Sequence, residues 1–226
     1  MDNHTKAIFR KIKKYVLYVS GIIFFSFMVY AAGTFYPNNW VVKKLVKVTE
    51  QSMIKEWKSY GYQAPEIVYT NNTEFVIAVG KCISFHNLTL DHKSRVHRDI
   101  IIAMAVLETG YGKSRFAKEG NNLFGMRTWN PSTPQLKPLD LPKAKFGVKK
   151  YNTKCDSVLD MINNINTHPA YEGFRTLRAQ QIENGTIDLN TQIDQLNKWS
   201  TNPDYTKLVK NKAKDIEKIL VKFYGK

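Results

Sequence analysis

The chain has 226 residues, 34 Lys and Arg against 19 Asp and Glu, a formal net charge of +15, and 43% hydrophobic residues. That length holds one ordinary domain plus an extra segment but not two large domains, and that apolar content excludes disorder over most of the chain. Two cysteines, Cys82 and Cys155, exclude a disulfide-dense scaffold, and five histidines without an HExxH or His-x-His cluster give a metal site no support.

The N-terminus carries a membrane signal. Residues 1–14 hold Lys6, Arg10, Lys11, Lys13 and Lys14 against one acid, Asp2. Residues 15–33 follow with no charge at all. As a helix, 19 residues span about 28 Å, close to the roughly 30 Å core of a bilayer. Basic residues stay on the cytoplasmic side, so the tail is expected inside and the rest exported. Three readings are open: an uncleaved inner-membrane anchor, a signal peptide cut after Val29-Tyr30-Ala31, and the buried helix of a soluble core. The first two export the domain, the second as a periplasmic protein. Export permits a Cys82–Cys155 disulfide; two buried thiols are the alternative.

Beyond the apolar run, residues 34–65 read as a stem helix, with Val41, Val42, Leu45, Val46, Ile54 and Trp57 between lysines. A catalytic domain is assigned to residues 66–226. Its first part is ambiguous, and residues 75–79 (FVIAV) fit a strand or a helix. Residues 96–107 lack alternation and predict a helix buried almost all round, stopped by Gly110 and Gly112. Residues 130–141 hold three prolines and predict a loop or lobe, and residues 144–151 a short strand. Further helices are predicted over 156–167, 188–199 and 203–223.

The chemistry is expected where the buried helix ends. Glu108 follows an unbroken apolar run and precedes Thr-Gly-Tyr-Gly. A carboxyl at the end of a core helix is expected to be partly desolvated, which disfavours its charged form. A carboxylic acid kept protonated near neutral pH is what glycosidic cleavage needs. The glycines beside it let a bulky polymer approach. A helix-terminal Glu turned to water beside Lys113 or Arg115 is the plainer alternative.

Residues 105–117 (AVLETGYGKSRFA) with 120–125 (GNNLFG) resemble the signature of bacterial glucosaminidases, glycoside hydrolase family 73. Residues 166–175 (NTHPAYEGFR) resemble its Bax-like branch, and residues 199–205 (WSTNPDY) are similar to the family's Tyr-Ala/Ser-Thr-Asp-x-x-Tyr motif. The resemblance covers about residues 90–222 and leaves out anchor and stem. It implies a mainly α, lysozyme-like α+β fold with a small β-lobe over a substrate cleft. It implies hydrolysis of β-1,4 bonds after N-acetylglucosamine in peptidoglycan, with no cofactor. Glu108 falls on the family's catalytic acid and Tyr205 on its active-site tyrosine. The sequence departs from the pattern at Trp199, where many members have Tyr, and at Asn202, where many have Asp.

A second carboxylate is not evident. Between Gly125 and Tyr151 the only acid is Asp140, a candidate for a direct role, and Glu119 reads as a loop carboxylate or cap. Asn122 is a candidate for sugar hydroxyls or a turn residue. Phe124 is a candidate stacking ring or a core residue, and Trp129 the better stacking candidate. Against a hydrolase stand two alternatives: a lytic transglycosylase, which shares the fold and single Glu, and an inactive membrane-anchored wall-binding protein. Peptidoglycan strands and the inner membrane are the expected partners. Nucleic acid is not expected, since the basic residues are dispersed and the domain is exported.

Overall fold

The computed structural model describes residues 3–33, 38–59 and 61–225. It divides into two units, Met1–Gly61 and Tyr62–Lys226.

The first unit contains two helices, α1 (Asn3–Ala32) and α2 (Asn39–Ser59). α1 begins inside the basic tail and continues through the charge-free run. It is long and apolar enough to cross a membrane. Its large apolar side chains, among them Phe24 and Phe25, are exposed on all sides. This exposure does not fit the reading of the segment as a buried core helix, since none of the described residues of its own unit covers it. The side chain of Asn38 joins the two helices, donating to Tyr30 O at 2.9 Å and accepting from Val41 N at 2.9 Å. It thereby serves the last carbonyls of α1 and the first amides of α2. The expected stem residues 34–37, Tyr60, and the side chains of Ile54 and Trp57 lie outside the described residues.

In the second unit, α4 (Arg98–Thr109) runs through the centre, with Ile100 to Ala105 all 0% exposed. This is the reason its sequence shows no polar face. Around it pack α3 (Asn72–Asn87), α6 (Lys154–Thr167) and α9 (Tyr205–Tyr224). The ambiguous residues 75–79 are part of α3. Asn71 caps it by accepting from Glu74 N at 2.9 Å, and the helix buries Phe75, Val76 and Val79. α6 opens with a capping box between Thr153 and Asp156. α9 buries Val209, Ala213, Ile216 and Leu220, the 3–4 spacing of a single helix face.

Cys82 on α3 and Cys155 at the start of α6 are joined by a disulfide, with Cα atoms 5.7 Å apart. His86 lies against this bridge, its Nε2 3.1 Å from Cys155 O, and burial pushes its imidazole below the usual histidine range.

Three elements differ from expectation. α5 (Arg115–Glu119) is a short helix that holds Glu119 in an ion pair with Arg115 at 2.9 Å. α7 (Glu172–Glu183) is a full helix in a stretch left unassigned. Its inward side chains are Phe174, Arg178 and Gln181, so only one of them is apolar and the periodic signal is missing. α8 is confined to Leu189–Asp194, and the chain turns through residues 195–198 before Trp199.

The lobe between α5 and α6 is a three-stranded antiparallel sheet of β1 (Arg127–Thr128), β2 (Gln135–Leu136) and β3 (Gly147–Lys149), in the order β1-β3-β2. Arg127 pairs with Val148, and Leu136 with Val148 on the other side. Lys149 Nζ holds Asp160 of α6 at 2.8 Å, fixing the base of the lobe to the helical body. The unit is thus mainly helical with a small β-lobe, the α+β layout expected.

Candidate active site

Glu108 stands in the last turn of α4. Gly110, at φ +57°, ends the helix in the left-handed conformation and turns the chain away from the carboxyl. Thr109 turns its hydroxyl back onto Ala105 O and accepts from Gly112 N at 2.8 Å, which fixes that turn.

The carboxyl opens into a cleft of about 700 Å³ between the helical body and the β-lobe. Phe124, Met126, Trp129 and Phe146 line it from the lobe side, Trp199 and Tyr171 from the helical side. Glu108 is exposed rather than desolvated. The helix ends at the rim of the core, so water reaches the carboxyl until a ligand fills the cleft.

Two donors converge on one oxygen of Glu108. Trp199 Nε1 donates to Oε1 at 2.9 Å and Tyr205 Oη donates to the same atom at 3.0 Å. Burial, and then the negative charge of Glu108, push the Tyr205 phenol well above the usual tyrosine range, so it stays a proton donor. Oε1 thus accepts two hydrogen bonds, and a proton on this carboxyl belongs on Oε2. A Cβ placed on Gly125, itself at φ +64°, would lie 4.0 Å from Oε2. The glycine keeps the space in front of that oxygen open.

The other sequence candidates separate. Trp129 is 67% exposed on the cleft wall, its ring centroid 6.1 Å from that of Phe146. Phe124 reaches the cleft but is 1% exposed, and packs as a core residue. Asn122 does not reach the cleft. It is fully buried, donates to Met126 O and Lys149 O at 3.1 and 2.9 Å, and accepts from Phe124 N and Met126 N. Every polar atom of its amide is committed to the loop, so it shapes the cleft floor without touching a ligand. Asp140 is exposed in the proline-rich loop, outside the cleft lining. Among the described residues lining the cleft, Glu108 is the sole acid.

Sequence reasoning treated Trp199 only as a departure from a motif. Its position six residues before Tyr205 in that motif was the available signal. Both residues belong to the turn and helix start that follow α8, and so arrive at Glu108 together.

The family model described as "Glucosaminidase: Mannosyl-glycoprotein endo-beta-N-acetylglucosaminidase" matches residues 87–218. The chain belongs to the glucosaminidase family. It is a glycoside hydrolase of the endo-β-N-acetylglucosaminidase type, and the matched range runs from the end of α3 through Glu108 and the β-lobe into α9. This glucosaminidase is 33% identical over 94 residues to Protein bax of Escherichia coli (strain K12), a match spanning 42% of the chain and 32% of that protein. Among solved structures it is similar to the catalytic domain of the autolysin Auto from Listeria monocytogenes. That similarity has 15% identity and a TM-score of 0.49, and covers 73% of this chain and 94% of that one.

The two donors predict separable effects. Tyr205→Phe removes a bond that steadies Glu108, and is expected to lower kcat more than it raises KM, because the contact matters mainly in the transition state. An unchanged kcat in steady-state assays would reduce Tyr205 to a packing residue. Trp199→Phe keeps an aromatic wall and deletes the indole N–H. One lost hydrogen bond to a charged group is worth about 1.5–3 kcal/mol, a fall of about ten- to a hundredfold in kcat/KM. A Trp199→Phe enzyme of wild-type activity would show that Tyr205 alone suffices.

Proposed function

We propose that the chain is a membrane-tethered peptidoglycan hydrolase that cuts the β-1,4 bond after N-acetylglucosamine, with Glu108 as general acid and Tyr205 and Trp199 as positioning residues. The observation that carries this reading is the Glu108 carboxyl, the one acid among the described residues of an open cleft, with Oε1 held by two donors and Oε2 toward the cleft. Oε2 protonates the glycosidic oxygen as the bond to C1 breaks. With one acid in the cleft, the acetamido oxygen of the sugar is the available nucleophile at C1. Glu108, now a carboxylate, then takes a proton from the water that opens the resulting ring. Trp129, exposed on the cleft wall, is suited to stacking on a sugar face.

Topology supports the wall as substrate. Residues 1–14 form a cytoplasmic basic tail, 15–33 the anchor, 34–65 the stem and 66–226 the exported catalytic domain. The second unit carries 24 Lys and Arg against 16 Asp and Glu, which favours an anionic polymer. Fractionated cells should yield the full-length chain in the membrane pellet. A soluble form starting near Ala32 would mean cleavage, and would leave the enzymatic reading intact.

The substrate itself is tested by incubating the full chain, in uncharged detergent, with purified peptidoglycan and separately with a high-mannose glycoprotein. New reducing ends from peptidoglycan alone are expected. Release of glycan from the glycoprotein with none from peptidoglycan would overturn the proposal.

A further inference from the structure

A second cavity, of about 330 Å³, shares no lining residue with the cleft. It lies where the end of α3, the start of α4 and the inner face of α7 meet. Arg178 of α7 forms part of its wall and is 5% exposed. Its terminal nitrogens donate to Asn166 Oδ1 at 2.8 Å and, at longer range, to Ser94 O and Arg95 O at 3.5 and 3.4 Å. Its Nε is buried with no hydrogen-bond partner among the described residues. Among the described residues no carboxylate is paired with it. Burial, and then the like charge of Arg175, push the guanidinium down to about 10. A buried cation without a counter-charge is costly, and a bound anion would offset that cost.

The rest of the wall is consistent in sign. Arg95 and Arg98 also line the cavity, and Arg98 is paired to Asp99 at 3.3 Å. No Asp or Glu contributes to the lining among the described residues. Asn87 adds a side-chain amide whose Oδ1 is buried without a partner; with the amide turned over, the buried atom becomes a donor. Val96, Ile182 and Ile187 add apolar lining to the cavity.

We propose that this cavity binds a carboxylate carried on a short aliphatic body, of which the C-terminal residue of a peptide is the simplest form. A carboxylate suits a wall that holds Arg95, Arg98 and Arg178, and the apolar lining covers the aliphatic body, which a bare phosphate lacks. The proposal is independent of the catalytic reading, because the cavity is separate from Glu108.

The test uses the full chain in uncharged detergent. Acetyl-Ala-Ala with a free carboxylate is titrated by calorimetry and thermal unfolding, in all-L and all-D forms, beside its carboxamide and inorganic phosphate. Saturable binding of at least one free-acid stereoisomer with a raised Tm is expected, with the carboxamide and phosphate at least tenfold weaker. Ile187 is 62% exposed, so Ile187→Asp leaves the core intact and sets a negative charge against the ligand. It should weaken binding at least tenfold without lowering Tm in the absence of ligand. Glu108→Gln should bind as the wild type does, which separates this site from the cleft. No binding by either stereoisomer, equal binding of the carboxamide, phosphate as strong as the free acid, or unaltered binding by Ile187→Asp would each overturn the assignment.

Discussion

Glu108→Gln is expected to lower peptidoglycan turnover by about 10²–10⁴-fold, the contribution of a positioned general acid, or about 3–5 kcal/mol of barrier. Gln keeps the shape of the side chain. Its amide oxygen still accepts from Trp199 Nε1 and Tyr205 Oη, so the two donors at that site are not orphaned. What it lacks is a carboxyl able to deliver a proton, the role proposed for Glu108. Folding should change little, because the side chain is exposed at the helix end. Initial rates of fragment release, alongside thermal unfolding of the same preparations, check both halves. A variant that digests peptidoglycan at more than a tenth of the wild-type rate would show that Glu108 is not the acid.

Replacing both Cys82 and Cys155 by Ala should have the largest effect on stability. The bridge closes a separation of 73 residues between α3 and α6. In the chain-entropy description, its loss frees the unfolded chain by about 4 kcal/mol. For a unit of this size that lowers Tm by about 8–16 °C. Neither cysteine lines the cleft, so turnover by the folded enzyme at 25 °C should be near wild type. Thermal unfolding with and without a reductant gives an independent measurement on the unaltered chain. A Tm that moved by less than 2 °C on full reduction would mean that packing alone holds α3 to α6.

How far the sequence revealed this molecule depended on which face each element buries. α4 and α9 were legible because their inward residues are apolar: α4 is apolar all round and α9 carries Val209, Ala213, Ile216 and Leu220 on one side. α7 was not, because Arg178 and Gln181 occupy inward positions where a pattern reader expects Leu or Val. The strands β1 and β2 contain two residues each, too short for alternation to register. Residues 75–79 were ambiguous because an apolar run of that length suits either state; the Asn71 cap decides for helix.

The candidate site was legible through its motif and less so through its physics. Glu108 and Tyr205, 97 residues apart, meet as that motif implied. The expected desolvation of Glu108 is not met, since a helix end facing an open cleft stays wet. Asn122 was open to two readings from the sequence, a ligand for sugar hydroxyls or a turn residue. A fully buried amide with four backbone partners is instead the means by which that loop holds its shape. Trp199 carried no catalytic signal on its own, because an indole donor matters only once α8 is seen to stop at Asp194 and release the chain toward Glu108.

Hydrolysis after N-acetylglucosamine, with Glu108 as the acid, leaves its mark on the products. The masses of the fragments that the full-length enzyme releases from purified peptidoglycan test it most directly. Fragments ending in a reducing N-acetylglucosamine, each carrying one added water, are the predicted result. Fragments ending in anhydro-N-acetylmuramic acid, one water lighter, would contradict it and make the enzyme a lytic transglycosylase.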